Sequence, residues 1–190
     1  MSDSPELPNW YNTQLDPYLL EVGRVSAIWA ATEYAMDVLI WFLMGVHPRI
    51  GACVTAQMIG PGPRTKCLLA LAKQRFVDVE TIGDLHQLTK NIRSIGAKRN
   101  RYSHDTIHFG LKTKNISARQ ITADGELKFG AKVISLTESR KFWEEIRAVN
   151  LKLYRIHNKI IKMPLSPLLA PLASEWTNSH PPDQGQDSSS

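Results

Sequence analysis

Cysteine is scarce in this sequence. Cys53 and Cys67 are the only two in 190 residues, and they stand fourteen apart. They make no C-x-x-C pair and have no histidine close by, which tells against a disulfide framework and a zinc-finger pattern. The expectation is two small, buried, apolar side chains in a cytosolic protein. Long apolar runs are missing too. The richest, VLIWFLMGV (38–46), is too short to span a bilayer, and Glu33 and Asp37 precede it. The opening MSDSPELPNW is polar, acidic and proline-bearing, unlike a secretory leader. These readings describe a soluble, cytoplasmic protein with no membrane partner. No internal repeat is visible. No helix-turn-helix spacing accompanies the basic residues, so a DNA-binding regulator is disfavoured.

Bases are almost absent from the first forty residues. Arg24 stands alone there against Asp3, Glu6, Asp16, Glu21, Glu33 and Asp37. Between 86 and 132 the balance reverses, with ten Lys and Arg opposed only by Asp105, Asp124 and Glu126. The whole chain carries a formal charge of +5, so a polyanion is allowed as a partner, and this second stretch is where a phosphate would go. With 43% hydrophobic and 22% charged residues, the composition is that of one ordinary globular domain.

What is present is mostly helical periodicity. Asp16-Pro17 reads as a helix start, with Asp as cap and Pro first in the helix. From there Val22, Val25, Ile28/Trp29, Thr32, Ala35/Met36, Leu39 and Phe42/Leu43 form one stripe, which Gly45 and Pro48 end. This helix is apolar around more of its circumference than one core requires, which hints at a partner. A second helix is expected over 48–59, stopped by GPGP (60–63), and Pro63 suits the first position of a third. A fourth begins near Thr81, with Ile82, Leu85, Leu88, Ile92 and Ile95 as its stripe. After Ile107 the pattern turns extended, and TADG is a tight-turn signal for a small hairpin or an irregular excursion. Thr137 reads as the cap of a last helix with Phe142, Ile146, Val149, Leu153, Ile156 and Ile160 inward. Residues 1–15 form a polar arm and 16–163 the domain. The tail 164–190, rich in proline and serine, is expected to be largely disordered.

The segment AKRNRYSHD (97–105) carries the chemistry. Cleaving RNA through its own 2′-hydroxyl requires a base, an acid and a cation on the phosphate. Imidazole titrates near neutrality and suits the first two roles, and guanidinium suits the third. Arg99 and His104 supply these groups, with Asn100 to orient one of them. Lys98, Arg101 and Ser103 are candidates for holding RNA. Five residues apart, Arg99 and His104 point ~140° from each other on an ideal helix. A shared site needs the helix to end or bend between them, or a second copy. His104 and His108 have a metal-ligand spacing, but 106–108 reads as extended and no third ligand is near, so no metal is expected. Glu33 is a candidate to reach the Arg99 guanidinium. His47, His86 and His157 read as structural, and Trp29, Trp41 and Trp143 as packing.

RNRYSH (99–104) resembles the R-x4-6-H motif of the HEPN superfamily, in which a polar residue follows the Arg. GRVSAIWAATEYAMDVLIWFLMG resembles the long first helix of a bacterial branch, and VTAQM and RTKCLLAL its next segments, so the likeness covers about residues 16 to 162. It implies a mainly α fold, a HEPN-like bundle of four to five helices with the small β excursion before the last. It also implies a homodimer acting as a metal-independent endonuclease on single-stranded RNA, without cofactor, in a toxin or defence setting. Arg99 and His104 would then be catalytic, with Asn100 in support. An antitoxin or regulatory protein becomes a conceivable partner. Toxins of the superfamily silenced by nucleotidylation carry Tyr two residues after the His. Thr106 stands there instead, which tells against an antitoxin of that kind. The rival implication is a catalytically silent dimeric module that binds nucleotide or a protein partner.

Overall fold

Proline and glycine set most of the helix ends. The structure, a computed structural model, describes residues 13, 15–109, 116–124 and 126–163. The expected tail, and the expected arm apart from Thr13 and Leu15, lie outside them. Among the described residues the order is α1 (Asp16–Met44), α2 (Pro48–Thr55), α3 (Pro61–Gln74), α4 (Val79–His104), β1 (Thr106–Phe109), β2 (Ile116–Asp124), β3 (Glu126–Val133) and α5 (Leu136–Ile160). The chain is mainly helical, with a small antiparallel sheet ahead of the last helix, in line with the sequence pattern.

Several boundaries differ from the expected ones. Asp16 is the first helical residue of α1, not its cap, and Leu15 precedes it without a side-chain cap. Gly45 closes α1 at φ 70°, its N–H meeting the carbonyls of Trp41 (3.1 Å) and Phe42 (3.0 Å). The second helix stops at Thr55 and does not reach Ile59. Arg64 explains the early stop. It donates to the carbonyls of Thr55 (3.3 Å), Met58 and Gly60 (3.2 Å), and its Nε meets Asp37 Oδ1 at 2.7 Å. The turn over 56–60 is thus fastened to α1. Gly60 takes φ 71°, so the third helix starts on Pro61 and not on Pro63. Asp78 caps α4 by accepting from Thr81 N–H at 2.9 Å. Ser135, not Thr137, caps α5, in a reciprocal capping box with Glu138.

The first helix runs through the middle of the bundle, against α5, α3, α2 and α4. Its stripe is buried at Val25, Trp29, Met36, Leu39 and Leu43, and the expected α4 and α5 stripes are buried as well, with Ile82 half-buried. Each such aliphatic side chain contributes about 1.5–3 kcal/mol relative to exposure. By length and composition α1 is long and apolar enough to cross a membrane, but this inner stripe forms the centre of the core. Phe42 departs from expectation and sits exposed, edge-on to His157 at 6.5 Å. Trp41, outside that stripe, covers α2: its Nε1 donates to Thr55 Oγ1 (3.1 Å) and its ring lies on Gly51. Cys53 is exposed rather than buried, and Cys67 is half-buried.

The sheet is a meander in the order β1-β2-β3. The turn expected at TADG joins β2 to β3, with Asp124 opposite Glu126. β1 adds a third strand, pairing Ile107 with Ala118. Alternate residues of β2, Ile116 and Ala118, turn inward and are buried, while Arg119 is exposed. The sheet therefore flanks the end of α4 and the start of α5.

Candidate functional site

Extending the α4 stripe past Ile95 brings the motif into view. Residues 88, 92, 95/96, 99 and 103 fall on one face of a helix, and Leu88, Ile92, Ile95 and Gly96 are all buried. Arg99 and Ser103 continue that face. Both are half-buried, and Arg99 Nε and Ser103 Oγ are shielded from water without a hydrogen-bond partner. This is not a solvated helix face. Among the described residues the Arg99 side chain makes one hydrogen bond, a long one, Nη1 to Asn100 Oδ1 at 3.5 Å. Asn100 and His104 share the next face, one turn apart and both exposed. Lys98 and Arg101 are exposed on a third face, where Lys98 pairs with Glu145 of α5 at 3.1 Å.

The helix runs unbroken through His104, and the Asp105 N–H still reaches the Arg101 carbonyl at 2.9 Å. Within one chain, then, Arg99 and His104 stay on different faces, ~140° apart. Of the two ways to join them, the end or bend between them is absent. No carboxylate pairs with Arg99 or His104 among the described residues. Glu33 is half-buried on α1, and no hydrogen bond or ion pair joins it to Arg99. The α1 acids that do hold arginines are Asp37, with Arg64, and Glu21. His108 lies on β1, and no group of three or more His, Cys, Asp or Glu among the described residues could hold a metal ion.

Around the motif the structure gathers residues that sequence reasoning missed. Tyr18, in the first turn of α1, packs at a tilt of 45° against Tyr102 with ring centroids 6.0 Å apart, and Tyr102 in turn meets Phe142 of α5 at 5.6 Å. Both phenol hydroxyls are shielded and unpartnered. Burial pushes both above the usual tyrosine range. The neighbouring Tyr102 and Asp105 push Tyr18 further, while the nearby Ser139 hydroxyl eases Tyr102 against a push from Glu21. Ser139 makes its own bond to the Ser135 carbonyl (3.1 Å), so it stands near Tyr102 without a hydrogen bond to it. Glu21 is 2% exposed, and its Oε1 accepts from Arg24 (3.0 Å) and Arg140 (3.2 Å). The signal for Tyr102 lay in carrying the α4 periodicity seven residues further. Arg140, 119 positions from Glu21, left no trace in the sequence.

The other expected roles are structural ones. His47 caps α2 through Nδ1 (3.2 Å from Arg49 N), and Trp143 carries the Arg147 guanidinium at 5.4 Å. No family model, no curated protein and no solved structure matches the chain.

Proposed function

We propose that this chain is a HEPN-like, metal-independent endonuclease of single-stranded RNA that works in the cytoplasm as a homodimer, in a toxin or defence setting. His104 takes the 2′-hydroxyl proton and returns one to the leaving 5′-oxygen, while the Arg99 guanidinium steadies the charge on phosphorus. Asn100 orients the pair, and Lys98, Arg101 and Ser103 guide the strand. The observation that carries this reading is the state of the pair. Arg99 and His104 close the same helix, and among the described residues no carboxylate neutralises either. A salt-bridged pair would have pointed to the silent module.

Support for the dimer comes from geometry. A continuous helix holds the two side chains on different faces, so a second copy is the remaining way to bring an arginine and a histidine to one phosphate. The shielded, unpartnered atoms at Arg99 and Ser103 favour the same view, because such atoms cost about 1–3 kcal/mol each until something meets them.

The test is cleavage of labelled RNA by purified protein in excess EDTA, with wild type beside Arg99→Ala and His104→Ala. Loss of about a hundredfold or more in either variant, roughly 3 kcal/mol, is expected. Products should end in 2′,3′-cyclic phosphate, and DNA should survive for want of the attacking hydroxyl. Equal cleavage by all three proteins would expose a contaminant. No cleavage by wild type across many RNAs would leave the silent module.

A further inference from the structure

The last strand of the sheet has one side unused. In the order β1-β2-β3, β2 lies in the middle, and β3 meets no strand on its far side among the described residues. The Ile134 N–H donates to the Ile116 carbonyl at 2.9 Å, which fixes the alternation along the ladder. Main-chain groups of the even-numbered residues of β3 turn to β2, and those of 127, 129, 131 and 133 point outward. This free row runs the length of an eight-residue strand without proline, whereas β1 at the opposite edge has four residues. Phe129 stands at its middle, 68% exposed, and Val133 on the same face is 57% exposed. Such an edge is a template for another strand.

We infer that β3 pairs antiparallel with β3 of a second copy of this chain, continuing the sheet across a twofold axis at Phe129. Symmetry limits the choice. A twofold axis perpendicular to the sheet keeps opposed residues on one face, so a single residue must meet its own copy. Axes at Lys128 or Lys132 set a lysine on itself, and an axis at Gly130 sets Lys128 against Lys132. Like charges directly opposite are destabilising. Axes at 127 or 131 align only residues 126–128 or 129–133 of the strand. The axis at Phe129 aligns 126–132 and sets Glu126 opposite Lys132 twice, once on each side. Lys132 is exposed and meets Glu138 at 3.6 Å, and an ammonium with three donors has room for a second carboxylate. At the axis the outward main-chain groups of Phe129 bond those of its copy, and the two exposed rings come together. A foreign strand would have to match this charge order, whereas the chain's own strand does so by symmetry. The contact does not rest on the cleavage chemistry.

Cysteine cross-linking of the full chain reads the axis directly. In a Cys53→Ser, Cys67→Ser background, Lys128→Cys, Phe129→Cys and Gly130→Cys are oxidised separately under mild conditions. A residue on the axis has its Cα about 5.5 Å from its copy, within disulfide reach, and its neighbours stand about 8 Å from theirs, outside it. Phe129→Cys should therefore give a covalent dimer at least tenfold faster than the other two. Lys132→Glu should halve the assembly mass measured by light scattering at micromolar concentration, and Glu126→Lys added to it should restore that mass. Ala131→Pro removes an outward N–H that β2 does not use, so it should halve the mass with the helical circular dichroism unchanged. A wild-type monomer, or a mass that ignores both Lys132→Glu and Ala131→Pro, would overturn the inference. Fastest cross-linking at 128 or 130 would overturn the axis, and a mass that Glu126→Lys fails to restore would overturn the charge match. A dimer that forms none of the three cross-links sinks this contact and leaves the nuclease reading standing. A cross-linked dimer that cuts no RNA sinks the nuclease reading alone.

Discussion

The indole of Trp29 lies against the backbone of Gly96, where an added Cβ would stand 3.1 Å from Cη2 and 3.3 Å from Cζ2. Pro61, at the head of α3, closes the other side at 2.8 Å. Two rigid rings thus fix how near α1 and α3 come to α4, three residues ahead of Arg99. Any change in that spacing moves the motif.

Gly96→Ala should therefore destabilise the protein even though alanine is the better helix former. The overpacking penalty, about 1–3 kcal/mol, exceeds the helical gain of roughly 0.5–1 kcal/mol. Gly83, on the same helix, is exposed, and a Cβ added there would meet nothing within 4 Å. Gly83→Ala should stabilise by about 0.5–1 kcal/mol. Urea unfolding of the two variants checks both signs, and a stabilised Gly96→Ala would mean that the Trp29 contact is slack.

Arg24 and Arg140 converge on one oxygen of the buried Glu21, and they should prove non-additive. Each arginine is more than half exposed, with side chains 52% and 67% accessible, so losing one leaves the other in place. Single alanine variants should cost about 0.5–1 kcal/mol. The double variant strands a carboxylate in the interior and should cost about 3 kcal/mol, more than the sum. A double-mutant cycle by chemical denaturation measures the coupling. Simple additivity would mean that water already reaches Glu21.

The expected stripes of α4 and α5 were legible because one apolar face dominates each helix. Burial at Leu85, Leu88, Ile92 and Ile95, and at Phe142 through Ile160, follows the apolar spacing. Polar residues that share such a face were not legible. Glu21 and Asn150 are buried, with Asn150 donating to Thr32 of the expected α1 stripe at 3.1 Å, and composition alone places a Glu or an Asn outside. The helix starts at Pro61 and Ser135 escape the sequence for a related reason. Each has a second candidate two residues on, Pro63 and Thr137, and only the φ of Gly60 and the Glu138 capping box decide between them. At the site, the sequence held the motif but not its orientation. That Arg99 lies on the inner face and Lys98 and Arg101 on a face of their own depends on how α4 is rotated in the bundle.

Acid should weaken the fold in two phases. Burial holds His157 below its ordinary value of 6.5, so the unfolded chain takes up the proton first, and stability falls as pH drops through about 6.5. A second loss follows from two exposed carboxylates at helix starts. The Ser135 N–H and then Lys132 hold Glu138 below its ordinary 4.5. The Thr81 hydroxyl and the Thr81 N–H hold Asp78 below 3.8, and of these two only the N–H makes a hydrogen bond. Their contribution is fully present above those ordinary values and is lost as pH falls below them. His157→Gln should remove the first phase, and Glu138→Gln with Asp78→Asn should flatten the second. Denaturation midpoints across the acid range give the comparison, and an unchanged profile in both variants would place the acid-sensitive groups elsewhere.

The last prediction follows from the unbroken helix between Arg99 and His104. If one phosphate is held by the arginine of one chain and worked by the histidine of the other, each single variant retains half of what a site needs. An Arg99→Ala chain still offers His104, and a His104→Ala chain still offers Arg99. Mixed after partial denaturation and refolding, the two inactive proteins should regain cleavage. Random pairing makes half of the dimers mixed, each with one complete trans pair in place of two, so about a quarter of wild-type activity is expected. Activity should rise with the mixed fraction and vanish when both changes are carried on the same chain. If the mixture stays as inactive as its components while native gels show mixed dimers, the arginine and histidine do not act across the dimer. The catalytic role of the pair would then have no geometry to support it, because α4 keeps the two on different faces of a single chain.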